Sequence, residues 1–208
     1  DLGGGIHRLI PTPPDPSRPP FPALLSQTGL FLGTASHRTH PGLISYSVIA
    51  PGWADGADVE RFIGLPGDTK ARYTGSGGWE FPDGAVVMQT LSLPLALDGD
   101  AAGVGSKLRV ETRLLTRQQG QWAAYSYRWD ARQADAALVE SAGQTVAWPE
   151  PNAPSAHGPG TRTWRFPSRA ECLACHSRAV NYMLGLTSLQ MNRDLDYGVA
   201  RTNQLRAL

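Results

Sequence analysis

Apolar and polar residues alternate with a period of two through the middle of this chain. Over residues 107–117, Leu108, Val110, Thr112 and Leu114 fall on one face, and Arg109, Glu111, Arg113 and Arg117 fall largely on the other. That is the spacing of a half-buried strand. Gln118-Gln119-Gly120-Gln121 reads as a hairpin turn, and residues 122–130 return with Ala123, Tyr125, Tyr127 and Trp129 sharing a face. Residues 43–50 are rich in β-branched and aromatic side chains and stop at Pro51-Gly52. Residues 85–93 form an apolar run entered through the turn Pro82-Asp83-Gly84. The rhythm of strands and turns predicts a mainly β fold, an antiparallel β-sandwich or open barrel. Residues 131–142 suit a short helix or a further strand equally. No internal repeat is visible.

The chain divides by composition. Residues 1–22 read as an arm: Gly3, Gly4 and Gly5 precede seven prolines between Pro11 and Pro22, too few backbone donors for a sheet interior. Residues 23–148 form the β domain, and residues 149–160, rich in Pro and Gly, read as a linker. In the final segment, 161–208, Ser168 stands three residues before Glu171, the spacing of a capping box that starts a short helix. Charge changes there too, with seven Arg against three acidic residues, while residues 1–160 carry twelve cations against fifteen acids.

Composition narrows the class. With Gly 23 and Pro 17 among 208 residues, a helical bundle or coiled coil is excluded. A net charge of +1 gives no global field for nucleic acid or an acidic membrane surface. No stretch approaches the ~18–20 apolar residues of a membrane span. No signal peptide opens the chain, which begins at Asp1; processing or an incomplete terminus is expected, and both fit export.

The two cysteines carry the chemistry. Cys172-Leu173-Ala174-Cys175-His176 is the C-x-x-C-H pattern of covalent c-type haem attachment. On a helical turn, thiols three residues apart reach the two vinyl groups of one haem edge, and the following imidazole is placed under the iron. His176 is then the proximal ligand through Nε2. A dithiol or disulfide, or half of a metal site shared with another chain, remains as an alternative; a four-Cys zinc site within the chain is excluded by number. Met191 is the expected sixth ligand, because fifteen residues after His176 can pass round a haem with Gly185 as the turn, whereas the seven to Met183 struggle. Met88 and His157 are outside candidates, and core packing competes for every methionine. His7, His37 and His40 read as surface residues. Arg169 and Arg178, with Arg165 and Arg193, are expected near the haem propionates, since Arg is the bidentate partner of carboxylates. The final segment is short for enclosing a macrocycle alone. The haem is therefore expected in a crevice between residues 165–208 and the sheet, with Trp79, Trp122, Trp129, Trp148 and Trp164 as candidate walls. Trp53-Ala54-Asp55-Gly56-Ala57-Asp58 reads as a tight turn rather than a calcium loop, which needs six to eight ordered oxygens.

Several motifs in order resemble one family. They are Gly42-Leu43-Ile44-Ser45-Tyr46-Ser47-Val48, Gly52-Trp53-Ala54-Asp55-Gly56-Ala57 with Arg61-Phe62, Trp79-Glu80-Phe81-Pro82-Asp83-Gly84, Glu111-Thr112-Arg113-Leu114-Leu115, and residues 122–129. They continue with residues 166–176, Leu184-Gly185-Leu186, Gln190-Met191-Asn192-Arg193 and Asn203-Gln204-Leu205. Together they resemble an exported c-type cytochrome family, often dihaem, that stands alone or is joined to PQQ-dependent sugar dehydrogenase propellers. The resemblance covers roughly residues 20–208 and implies an extracytoplasmic electron carrier. Members of that family continue into a second cysteine/histidine segment, whereas this chain stops at Leu208, and Met191 stands where they commonly have Leu.

The expectation is thus a c-type cytochrome with one covalent haem c, periplasmic or extracellular, acting on electrons rather than as a catalyst. Its redox partner would be another protein, a quinoprotein dehydrogenase or a larger electron-transfer complex. Two other classes stay open: a haem enzyme or gas sensor with an open sixth position, and a β assembly module of a larger redox complex.

Overall fold

The structure, a computed structural model, describes residues 20–75, 77–94, 107–149 and 161–208. In chain order its elements are β1 (Phe31–Gly33), β2 (Arg38–Thr39), β3 (Leu43–Ser45), β4 (Asp58–Gly64), β5 (Val86–Pro94), β6 (Lys107–Gln118), β7 (Gln121–Trp129), β8 (Ala136–Leu138), β9 (Gln144–Pro149) and β10 (Thr161–Phe166). They are followed by α1 (Arg169–Cys175), α2 (Ser188–Met191), β11 (Asp194–Asp196), β12 (Arg201–Asn203) and α3 (Gln204–Ala207). The fold is mainly β. Strands β3 to β8 form one six-stranded antiparallel sheet in sequence order, while β1-β2, β9-β10 and β11-β12 are separate two-stranded ribbons. Among the described residues no helix is long and apolar enough to cross a membrane.

The two faces of the sheet are covered by opposite ends of the chain. Met88, Leu114, Tyr127 and Trp129 pack beneath Leu25, Phe31 and Ala136. The other face carries Ile63, Val87, Leu115, Trp122 and Ala124, roofed by Met183, Leu186 and Met191. Beside that second cluster, Leu91, Leu93 and Val110 meet Val139, Trp164 and Phe166. The Pro-rich arm lies mostly outside the described residues. Its last part runs along the sheet, where Phe21 stacks on Tyr125 at 3.5 Å between centroids and the Pro22 carbonyl accepts from the Tyr127 hydroxyl at 2.8 Å.

Three sequence expectations change. First, the alternation in β6 is interrupted: Leu91 pairs with Glu111 but Ser92 pairs with Arg109, leaving Val110 as an extra residue. Such a bulge reverses which side chains face inward beyond it. Arg109 therefore lies over the Trp129 ring, 4.3 Å from its centroid; Glu111 keeps the face it shares with Arg113, but that face is covered by Trp164 of β10, so it is completely buried. Second, only Leu43–Ser45 of residues 43–50 is strand. Tyr46 N–H still donates to the Arg61 carbonyl at 3.0 Å, but beyond it backbone donors go to the C-terminal segment: Ser47 N–H to Gln204 Oε1 at 2.7 Å and Ala50 N–H to Gln190 Oε1 at 2.9 Å. Third, the linker expected over 149–160 lies, beyond Pro149, outside the described residues, but the segments on either side of it pair: β10 runs against β9 from Thr161↔Pro149 to Phe166↔Gln144. Trp164 and Phe166 are core residues, so the C-terminal segment is packed into the β domain rather than appended to it. The ambiguous stretch 131–142 is a turn and the short strand β8.

Candidate functional site

Helix α1 begins where the spacing predicts. The Ser168 hydroxyl accepts from Glu171 N–H at 3.1 Å and the Glu171 carboxylate accepts from Ser168 N–H at 2.6 Å, closing a capping box. The Arg165 guanidinium donates to the same carboxylate at 2.7 Å. These donors hold the Glu171 carboxyl down at about 2. Gly143, at φ +72°, sits so close to the lead-in that a Cβ there would lie 2.6 Å from Ser168 N.

The helix ends in the motif. Cys172 is half-buried and Cys175 exposed, both with free thiols, and burial pushes the Cys172 thiol up. His176 is the C-cap of α1. Its Nδ1 lies 2.7 Å from the Tyr182 carbonyl oxygen. A carbonyl only accepts, so Nδ1 is the donor, and in the neutral imidazole this tautomer leaves the lone pair on Nε2. The loop that delivers this carbonyl is wound tightly, with Asn181 and Tyr182 both at positive φ, 50° and 62°. A left-handed Tyr costs about 1–2 kcal/mol, and the surrounding contacts hold it there. Asn181 Nδ2 donates to the Gly78 and Trp79 carbonyls at 3.0 and 3.3 Å, and Tyr182 N–H donates to the Ser177 carbonyl at 2.8 Å. Gly78 permits the approach, since a Cβ there would lie 2.5 Å from Met183 Cβ.

Cys172, Cys175 and His176 line a cavity of about 400 Å³ between α1, the 183–186 loop and the sheet. Ligand pockets typically run about 300–1,000 Å³. The sheet wall is Val59, Arg61, Val87, Gln89, Leu91, Arg113 and Leu115, and Tyr46, Val48 and Trp53 close one side. The crevice expected between residues 165–208 and the sheet is therefore present. Among the described residues, no three of His, Cys, Asp and Glu converge to hold a metal ion. The donor set suits a group that meets the two thiols at its edge and the imidazole at its centre. Cavity size, apolar walls and the fixed Nε2 fit a haem held by Cys172, Cys175 and His176.

The secondary candidates are placed differently. Met191 is fully buried in the core with Leu186 and Val48 and does not line the cavity, because α2 is a single turn whose inward face is that side chain. Met183 does line it, and it adjoins the carbonyl that holds His176. Met88 lies on the opposite face of the sheet, and His157 falls outside the described residues. Arg169 lies over the Tyr125 ring, 4.7 Å from its centroid, and Arg178 is exposed in a short 3-10 turn; neither lines the cavity. Arg165 holds Glu171, and Arg193 donates to the Val48 carbonyl at 2.8 Å. The cavity's arginines are instead Arg61 and Arg113, brought there by the register Arg61↔Gln89↔Arg113 across β4, β5 and β6.

Of the tryptophans proposed as walls, Trp79, Trp122, Trp129 and Trp164 are core, and the Trp148 side chain is outside the described set. Trp53 takes the wall position, on a tight turn in which its Nε1 donates to Asp55 at 3.1 Å. His37 is not a surface residue. It packs among Phe31, Phe62 and Trp129 and bonds Thr90 at 3.0 Å, and burial with the Arg109 cation lowers it to about 4. His40 is exposed, as expected. Behind the cavity wall, Glu111 accepts from Ser126 Oγ at 2.5 Å, Arg113 at 2.8 Å and Trp164 Nε1 at 3.1 Å. Comparison with protein-family models, curated proteins and solved structures finds no match for this chain.

Proposed function

We propose that this chain is a c-type cytochrome carrying one haem c on Cys172 and Cys175, with His176 as the proximal iron ligand. It would pass single electrons to or from a partner protein, such as a quinoprotein dehydrogenase or a larger redox complex, outside the cytoplasm. The observation that supports this most directly is the 2.7 Å contact from His176 Nδ1 to the Tyr182 carbonyl. It engages Nδ1 and so assigns Nε2 as the ligating nitrogen of the neutral ring, beside a cavity that both motif thiols also line, the arrangement of a ligating imidazole with its outer partner in place. A bound haem supplies a one-electron iron couple. The chain's part is to orient the imidazole, to present the thiols on one turn of α1, and to keep water from the apolar sheet wall of Val59, Val87, Leu91 and Leu115.

The test is a pyridine-haemochrome spectrum joined to a denaturing mass. One haem added per chain is expected, and a mass equal to the bare polypeptide would end this reading in favour of a dithiol. His176→Ala is expected to impair attachment and misligate the iron; an unchanged Soret band would assign the proximal role elsewhere.

A second reading, a haem protein with an open sixth position, is favoured by one observation. Among the described cavity-lining residues Met183 is the only thioether, and it adjoins the loop carbonyl bound to His176 rather than projecting from the facing sheet. Rapid stoichiometric CO binding by the reduced holoprotein would support it; CO exclusion would favour the electron carrier.

A further inference from the structure

The sheet wall of the cavity is apolar except for one group of side chains. Arg61 projects from β4 between Val59 and Ile63, and its guanidinium donates to the Val59 carbonyl at 3.2 Å. Among the described residues no carboxylate forms an ion pair with it, whereas its neighbour along the register, Arg113, is paired with Glu111 at 2.8 Å. Beside Arg61 stand the buried Tyr46 and, across the strand pair, Gln89, and all three side chains line the cavity. Burial pushes the Tyr46 phenol up to about 12, so it stays a neutral donor. A partly buried guanidinium without an anionic partner is costly unless a ligand supplies the charge. A guanidinium fork flanked by an amide and a hydroxyl is suited to a carboxylate.

Position identifies which carboxylate. Arg113 is the arginine that interacts with Cys172. Arg61 lies two strands away through Gln89, about 10 Å along the sheet at the usual strand spacing. A haem fixed by its vinyl edge at the cysteines directs its two propionates to the opposite edge. We propose that Arg61, with Tyr46 and Gln89, forms a carboxylate-binding site that holds a haem propionate on the sheet wall. This rests on the haem reading above and replaces Arg169 and Arg178 in that role.

The consequence is electrochemical. A propionate paired with Arg61 stays ionised across neutral pH; without the cation it titrates, and the iron senses it. The other titratable side chains facing the cavity are Tyr46, Arg113, Tyr125, Glu171, Cys172, Cys175 and His176, with Asp55 acting on Arg113. None of them is altered in Arg61→Gln.

The experiment measures midpoint potential against pH for holoprotein with confirmed covalent haem. Arg61→Gln should lower the potential, because a lost cation favours the oxidised iron. The expected shift is about tenfold in the oxidised-to-reduced ratio, about 59 mV for one electron. A new pH dependence should also appear between about pH 5 and 8. Arg61→Lys should restore part of the shift, and Tyr46→Phe should move the profile in the same direction by less. Should Arg61→Gln fail to accumulate, Tyr46→Phe and Gln89→Leu decide on the same readout. Profiles that superimpose on the wild type while the haem remains attached would overturn the propionate site and leave the haem reading standing. A shift confined to Arg113→Gln would overturn it in favour of the thiol-side arginine. Wild-type protein with no covalent haem would remove both.

Discussion

Removing the Glu111 carboxylate should unfasten the C-terminal hairpin from the sheet. Glu111 is completely buried and holds three donors: Ser126 Oγ, a guanidinium nitrogen of Arg113, and Trp164 Nε1 of β10. Glu111→Ala leaves Arg113 without its partner, and breaking a buried ion pair from one side costs about 3–5 kcal/mol. The Arg113 side chain is 37% exposed toward the cavity, so that term belongs at or below the lower end. The orphaned Trp164 and Ser126 donors add about 1–3 kcal/mol each where they stay dry. A total of about 4 kcal/mol is expected, or about 8–16 °C in Tm for a chain of this size. Glu111→Gln keeps an acceptor and the volume, so about half that loss is expected. Equilibrium urea unfolding measures both, and the cycle with Trp164→Phe isolates the strand-to-sheet bond, with a coupling of about 1 kcal/mol expected. A loss below about 1 kcal/mol for Glu111→Ala would refute the idea that this network holds the hairpin down.

Two further predictions concern other parts of the fold. The buried His37 titrates near 4 in the folded state against 6.5 as its ordinary value. Only the unfolded chain takes a proton between those values, so stability is full above about pH 6.5 and falls as pH drops toward 4, by at most about 3 kcal/mol. Urea unfolding from pH 7 to pH 4 should show this loss in the wild type and not in His37→Gln; parallel curves would contradict it. Gly78→Ala should displace the 180–183 loop, because the new Cβ would lie within 2.8 Å of Met183 Cβ, Met183 O and Val180 O. The Tyr182 carbonyl then loses its hold on His176, so the holoprotein's Soret band should shift with covalent attachment retained, and an unshifted band would show that this carbonyl does not set the imidazole.

Local pattern was enough for what local physics decides. Period-two alternation located β6 and β7, and an apolar run after the Pro82-Asp83-Gly84 turn located β5; Tyr125, Tyr127 and Trp129 do share a face, because a strand's side chains alternate whatever lies above them. Ser168 and Glu171 started α1, because a capping box is a contact between residues three apart. The C-x-x-C-H spacing singled out Cys172, Cys175 and His176 for the same reason. β4 carries a weaker local signal, because Arg61 stands between Val59 and Ile63 on the face that lines the cavity.

What lay beyond local pattern was decided by contacts between distant segments. A single extra residue at Val110 reversed the face of Arg109, and only pairing with β5 reveals a bulge; Glu111 kept its face and was buried by Trp164 of β10. Residues 47–50 left the sheet because Gln190 and Gln204, more than a hundred positions away, took the backbone donors of Ser47, Ile49 and Ala50. Met191 was drawn into the core by burial, and His37 by the aromatic ring around it. The arginines that reach the cavity come from the sheet register rather than from the basic C-terminal segment. Charge counted along a chain locates neither a wall nor a mouth; those exist only after strands pair and the two ends of the chain cover opposite faces of one sheet.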